Sequence, residues 1–147
     1  MNKLEASYPS KKVSIIVCAY NEERDVLNCL ETILTSIKLS QCAELFEVYL
    51  VDNSSEDQTG VLAEKFCNGL DDFNYVKIKH CGLSVSRNTA LIKAHGEFVA
   101  YVDADGSVEK TWATALLKEL EQHNPDILSG PVKESRGTKE NTLFELY

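Results

Sequence analysis

Asp103 and Asp105 stand two residues apart in Val102-Asp-Ala-Asp-Gly106, directly behind the apolar run Phe98-Val-Ala-Tyr-Val102. Two carboxylates at i and i+2 on a turn can face one point, where they would repel and raise each other's pKa. A hard divalent cation relieves that repulsion. Mg²⁺ and Mn²⁺ favour oxygen ligands and take one or two carboxylates together with phosphate oxygens, so the pair suits a metal that bridges to a nucleotide diphosphate. Read alone, the tripeptide is also an ordinary loop and helix start, because Asp caps helices and Gly ends strands.

Two other polar clusters carry comparable promise. Ala19-Tyr-Asn-Glu-Glu23 follows Val13-Ser-Ile-Ile-Val-Cys18, and Asp52-Asn-Ser-Ser55 follows Phe46-Glu-Val-Tyr-Leu-Val51. In the second cluster a carboxylate or amide could hydrogen-bond the edge of a nucleobase while Tyr20 offers a ring for the base to pack against. The same residues also make a plain strand-to-helix turn whose side-chain oxygens accept backbone N–H groups. Arg87 has a planar guanidinium matched to phosphate and carboxylate oxygens, and by default it is a solvated surface charge. His80, His95 and His123 show no metal-ligand spacing and read as structural or exposed. No G-x-G-x-x-G follows the first apolar run and no G-x-x-x-x-G-K-[ST] occurs, so a glycine-rich phosphate cradle has no support.

These clusters need elements to hold them. The β-branched run 13–18 reads as a strand buried on both faces, and the runs 46–51 and 98–102 as further strands, with a weaker strand over 74–79 and a fifth over 126–129. Between them, Val26, Leu27, Leu30, Ile33, Leu34 and Ile37 make a single helical stripe. Val61, Leu62 and Phe66 mark a second helix. A third runs from Ser84 to Ala94 with Val85, Leu91 and Ile92 expected inward, and a fourth from Thr111 to His123 with Trp112, Leu116, Leu117 and Leu120. Alternating strands and helices predict an α/β fold, a mainly parallel sheet with helices on both faces, in which ligands collect at the carboxyl ends of the strands. All three polar clusters fall there.

Composition bounds the partners. The 147 residues are 44% hydrophobic and 26% charged, an ordinary globular balance, and they read as one domain with its core over about 11–130. With 23 acidic against 15 basic residues the net charge is −8, which argues against nucleic acid or an anionic membrane as the main partner. No apolar stretch is long enough for a membrane span, so a cytoplasmic protein is expected, either free or peripheral to the inner face of a membrane. Cys18, Cys29, Cys42, Cys67 and Cys81 are odd in number and widely spaced, as reduced structural thiols are.

Taken in order, Val13-Ser-Ile-Ile-Val-Cys-Ala-Tyr-Asn-Glu-Glu23, Val51-Asp-Asn-Ser-Ser-Glu-Asp-Gln-Thr59, Gly82-Leu-Ser-Val-Ser-Arg-Asn88 and Gly96-Glu-Phe-Val-Ala-Tyr-Val-Asp-Ala-Asp105 closely resemble the family 2 glycosyltransferases of GT-A fold. The resemblance spans roughly residues 11–130. It implies a Rossmann-like three-layer α/β/α domain that binds a nucleotide-diphosphate sugar, usually a UDP-sugar, with Mg²⁺ or Mn²⁺. Ala19, Tyr20 and Glu22 match the motif that lines the nucleoside. Asp52 and Asn53 match an acidic pair that contacts the base, and the second member is here Asn. Arg87 matches a basic position facing the diphosphate. Asp103 and Asp105 match the ends of an Asp-x-Asp motif, the first near ribose and metal, the second a metal ligand.

Such enzymes displace the nucleoside diphosphate from the anomeric carbon by an acceptor hydroxyl of a glycan, lipid or small molecule, with inversion. A carboxylate general base takes the hydroxyl proton, and in this family it lies well beyond Asp-x-Asp. Only residues 106–147 follow here, and Glu134 is a weak candidate for that base. The acceptor half is therefore expected to be short or absent: a domain cut short, a shortened gene product, or a subunit completed by a partner or by a second copy of itself. The alternative reading is a nucleotide-sugar-binding domain without turnover.

Overall fold

The computed structural model describes residues 11–132. Four parallel strands, β1 (Val13–Ala19), β2 (Phe46–Asp52), β3 (Phe73–Lys77) and β4 (Phe98–Asp103), form a sheet in the order β3-β2-β1-β4. Helices α1 (Val26–Ser40), α2 (Thr59–Cys67), α3 (Leu83–Lys93) and α4 (Trp112–His123) alternate with them, and a single 3-10 turn, Ala43–Leu45, leads into β2.

Period-two alternation divides the sheet into two unequal faces. Val13, Ile15, Val17 and Ala19 of β1, with Phe46, Val48 and Leu50 of β2, face α1, α2 and α4 and make the main core with Cys29, Leu30, Ile33, Ala63 and Leu117. The intervening residues Ile16, Tyr49 and Val51 face α3 and meet Ala90 in a much smaller cluster. Each large aliphatic side chain buried in the main core contributes about 1.5–3 kcal/mol, so truncating Ile15 or Ile33 to Ala is expected to be among the most damaging changes. Helix α4 is anchored from α1, where the Ser36 hydroxyl accepts the Ala113 N–H at 2.8 Å and the Thr32 hydroxyl accepts the Val108 N–H at 3.2 Å.

Two expectations need correction. Residues 126–129 form no strand: Ile127 is 89% exposed, and β4 is the last strand of the sheet among the described residues. Short apolar runs make strands only where a neighbour offers a ladder, and none does so among the described residues. In α3 the inward residues are Ser86 and Ala90, whereas Val85, Leu91 and Ile92 are exposed. Small residues let this helix lie close on the sheet, which inverts the pattern that hydrophobicity alone predicts.

At the amino-terminal edge of the sheet a polar knot ties α3 down. The buried Glu47 carboxylate accepts the Ser14 hydroxyl and the His95 N–H, both at 2.6 Å, and Tyr49 donates its hydroxyl to Lys93 O at 2.8 Å. Gly96 N–H donates to the Ser14 hydroxyl at 2.8 Å. A Cβ on Gly96 would stand 2.5 Å from Ser14 N, so only glycine passes here.

Candidate functional site

Strand register brings the three polar clusters to one rim. Ala19 lies opposite Asp52, and Cys18 opposite Asp103. The Asn53 N–H adds one more rung to Ala19 O at 2.9 Å, after which both chains turn through left-handed residues, Asn21 (φ 57°) and Ser54 (φ 58°). Asn is among the few residues other than glycine that visit this conformation routinely. The two loops are then laced together. Asn21 N–H donates to the Ser55 hydroxyl at 3.0 Å, Glu22 N–H to the Thr59 hydroxyl at 2.7 Å, and Glu56 N–H to Asn21 Oδ1 at 2.8 Å. Asp57 accepts the Thr59 N–H and hydroxyl and the Glu23 N–H; burial works against its ionisation, but these bonds outweigh it and hold its carboxyl below the ordinary range.

Above this frame opens a cleft of about 430 Å³, within the roughly 300–1,000 Å³ usual for ligand sites. Ala19, Tyr20 and Glu22 line it from β1, Asn53 from β2, Leu83 and Ser86 from α3, and Asp103, Ala104 and Asp105 from β4. Another hollow, of about 450 Å³, lies between β3 and the end of α3. Its Tyr49 and His95 already serve the Glu47 knot, and no carboxylates converge there. We therefore place the chemistry in the cleft.

At one end Tyr20 is 42% exposed, its ring 4.7 Å from that of His80 at 51°. Asn53 lies beneath with its amide turned by the peptide groups of Cys81: Nδ2 donates to Cys81 O at 2.7 Å and Oδ1 accepts Cys81 N–H at 2.8 Å. These two bonds leave Asn53 one amide proton still to donate. Asp52 does not line the cleft. It is fully buried, with Oδ1 accepting Ser55 N–H at 2.9 Å and Oδ2 accepting the Tyr75 hydroxyl at 2.8 Å. The carboxylate that sequence places at the base instead holds the rim from below.

At the other end the chain turns at Ala104, where Gly106 N–H donates to Asp103 O at 2.9 Å. Ala104 is tucked into the core while Asp103 and Asp105 are exposed on either side of it. Arg87 Nη2 lies 3.7 Å from Asp103 Oδ1. The negative potential also reaches inward: burial first, then Asp105 and Asp103, push the Cys29 thiol up to about 12. Cys18, in the cleft wall, is likewise raised by burial, which Arg87 offsets in part. Among the described residues no group of three His, Cys, Asp or Glu side chains surrounds a point. Two exposed carboxylates on a cleft wall fit a hard divalent ion that shares its coordination with ligand oxygens.

Ala19, Tyr20, Glu22, Asn53, Asp103 and Asp105 are thus brought together, Arg87 stands beside Asp103, and Asp52 lies beneath. Glu134 lies outside the described residues. Sequence reasoning missed Leu83 and Ser86 in the cleft wall; His80, read as structural or exposed, is exposed with its ring against Tyr20. Only the four-residue spacing of Leu83 and Arg87 hinted that this side of α3 faces the site.

A parallel sheet with a polar cleft at its carboxyl rim and an Asp-x-Asp turn at the edge strand is the architecture of GT-A glycosyltransferases. Residues 14–143 match the model of Glycosyl transferase family 2, and the chain belongs to that family. It is 36% identical over 122 residues to a cholesterol galactosyltransferase of Borreliella burgdorferi, covering 80% of this chain and 31% of the relative. It is 33% identical over 118 residues to the poly(ribitol-phosphate) beta-N-acetylglucosaminyltransferase TarS of Staphylococcus aureus, covering 80% and 20%. The crystal structure of S. aureus TarS 1–349 with UDP superposes with a TM-score of 0.72 at 31% identity, covering 88% of this chain and 38% of that one. A mannosyltransferase of Pyrobaculum calidifontis in complex with GDP-Man and Mn²⁺ gives 0.65 at 26% identity, covering 76% and 33%. The chain spans well under half the length of these proteins. No helix among the described residues is long and apolar enough to cross a membrane.

Proposed function

We propose that the cleft binds a nucleotide-diphosphate sugar, with a UDP-sugar as the first donor to test, and that the chain serves transfer of the sugar to an acceptor hydroxyl with inversion. The observation that carries this reading is the convergence of Tyr20, Asn53, Asp103 and Asp105, from three strand ends, on one cleft. Tyr20 offers a ring face for the base, Asn53 a fixed amide donor for its edge, and Ala19 and Glu22 the wall beside the nucleoside. Asp103 and Asp105 would hold Mg²⁺ or Mn²⁺ against the diphosphate. When bound, such an ion supplies Lewis-acid stabilisation of the charge that grows on the leaving group. UDP and UDP-GlcNAc in TarS and GDP-Man in the archaeal enzyme support a nucleotide-sugar donor and leave the base to experiment.

The test is a calorimetric titration of UDP and GDP with and without Mn²⁺, followed by an assay of UDP release from UDP-GlcNAc. Binding strengthened by Mn²⁺ is expected, and Asp105→Ala should remove the Mn²⁺-dependent part while leaving the unfolding midpoint unchanged. Equal Mn²⁺ dependence in wild type and variant would overturn the ligand assignment. Release no faster than in buffer, with binding intact, would assign the chain to nucleotide-sugar binding without turnover.

A further inference from the structure

Arg87 makes two contacts that bear on how the cleft is charged. Its Nη2 lies 3.7 Å from Asp103 Oδ1, and its guanidinium carbon sits 5.2 Å from the centre of the Tyr101 ring. Tyr101 and Asp103 are two residues apart on β4 and so share the face toward α3. Strand β4 pairs with β1 and is the last strand of the sheet among the described residues, where Tyr101 is 48% exposed beneath the guanidinium. The oxygen that Arg87 approaches belongs to one of the two carboxylates suited to a divalent ion. One carboxylate oxygen cannot serve both cations fully.

We propose that Arg87 is a shared counter-ion. In the empty cleft it neutralises Asp103; when Asp103 helps to hold a divalent ion, the guanidinium, braced on Tyr101, passes to the diphosphate. This rests on the nucleotide-sugar reading above and adds a sign to it: Arg87 opposes the metal alone and favours the diphosphate. The pair is loose and exposed, and such pairs shift an equilibrium by roughly 1.4- to 5-fold, small enough for a dication to displace. A guanidinium freed in this way presents a planar fork of donors that matches phosphate oxygens. Tyr101 is a positioning residue, acting through Arg87 by a cation–π contact whose loss is expected to weaken binding roughly 2- to 5-fold.

The experiment measures Mn²⁺ alone, from the electron paramagnetic resonance signal of the free ion, and then UDP and uridine by calorimetry with Mn²⁺ present. Arg87→Ala should bind Mn²⁺ alone about 2- to 5-fold more tightly, bind UDP about tenfold or more weakly, and leave uridine unchanged. Tyr101→Ala should weaken UDP but not uridine, and Tyr101→Phe, which keeps the ring, should restore wild-type affinity. Mn²⁺ affinity that is unchanged or weaker in Arg87→Ala, or too weak to detect in either protein, overturns the exchange. So does a Tyr101→Ala variant that binds UDP as wild type does. A wild-type protein that takes no UDP at all overturns the nucleotide reading itself, and the Mn²⁺ comparison then still decides whether Arg87 guards Asp103.

Discussion

Replacing Tyr75 by Phe removes one hydroxyl from beneath the cleft, and it should weaken the fold while sparing nucleotide binding. The hydroxyl donates to Asp52 Oδ2 at 2.8 Å, and burial, then this hydrogen bond, then the Asp52 charge keep it protonated far above its ordinary range. Asp52 is fully buried, so the lost donor leaves a charged oxygen short of a partner. The start of α2 presses on the same spot: a Cβ on Gly60 would stand 2.7 Å from Asp52 Oδ2 and 2.9 Å from the Tyr75 hydroxyl. A hydrogen bond to a charged group is worth about 1.5–3 kcal/mol. For a chain of this size a loss of about 2 kcal/mol lowers the unfolding midpoint by about 4–8 °C. Urea and thermal unfolding measure the first effect, and UDP titration should change less than about twofold, because Tyr75 is not in the cleft wall. Asp52→Asn is the companion variant, since its amide keeps an acceptor for Ser55 N–H and can face the Tyr75 oxygen. If Asp52→Asn cost tenfold or more in UDP affinity while Tyr75→Phe left stability within about 0.5 kcal/mol of wild type, Asp52 would be a base contact and the argument would fail.

Two further predictions concern the knot at the opposite edge. Burial opposes ionisation of Glu47, but bonds from Ser14, His95 and Tyr49 outweigh it and lower its pKa. A carboxyl with a lowered folded pKa stabilises the fold above its unfolded value, about 4.3, and loses that contribution as pH falls through the folded value. Wild type should therefore exceed Glu47→Gln in unfolding midpoint at pH 7, with the gap closing as the solution is acidified below about pH 4; a gap constant from pH 7 to pH 3 would count against the assignment. Gly96→Ala places a Cβ 2.5 Å from Ser14 N and 2.8 Å from Val13 C, both backbone atoms that cannot swing aside. It should destabilise by about 1–3 kcal/mol in urea unfolding, and a variant as stable as wild type would show that the edge can give.

What could be read from sequence, and what could not, divides by the range of the interaction. The apolar stripe of α1 and the runs of β1 and β2 are local patterns with large hydrophobic content, and they sit where periodicity puts them. Helix α3 defeats the same reasoning because Ser86 and Ala90 are chosen for closeness to the sheet rather than for apolar area. The strand expected at 126–129 has the residues of a strand but no ladder among the described residues. The rim itself was legible, since parallel strands end together and the motifs follow them directly. Whether each rim residue faces ligand or frame was not. That depends on partners distant in the chain: Tyr75 for Asp52, Cys81 for Asn53, His80 for Tyr20.

The same division explains how the cleft is set. Its β1, β2 and β4 walls are fixed by ladder register and by the bonds that lace the β1 and β2 loops, so Ala19, Asn53 and Asp103 hold their places however the surface changes. Helix α3 has no such frame along its length, because its buried face is two small side chains. It is held at its far end, where Lys93 O, His95 N–H and Gly96 N–H are tied to Tyr49, Glu47 and Ser14, and at the cleft end, where the peptide groups of Cys81, two residues before Leu83, are bonded to the Asn53 amide. About 15 Å of helix separates Lys93 from Leu83 at the cleft, and about 9 Å separates it from Arg87. The helix is therefore tied at both ends, and the adjustable part is the Arg87 side chain, held by a 3.7 Å ion pair and a ring contact rather than by a bonded frame, as a cation passed between two anionic partners requires.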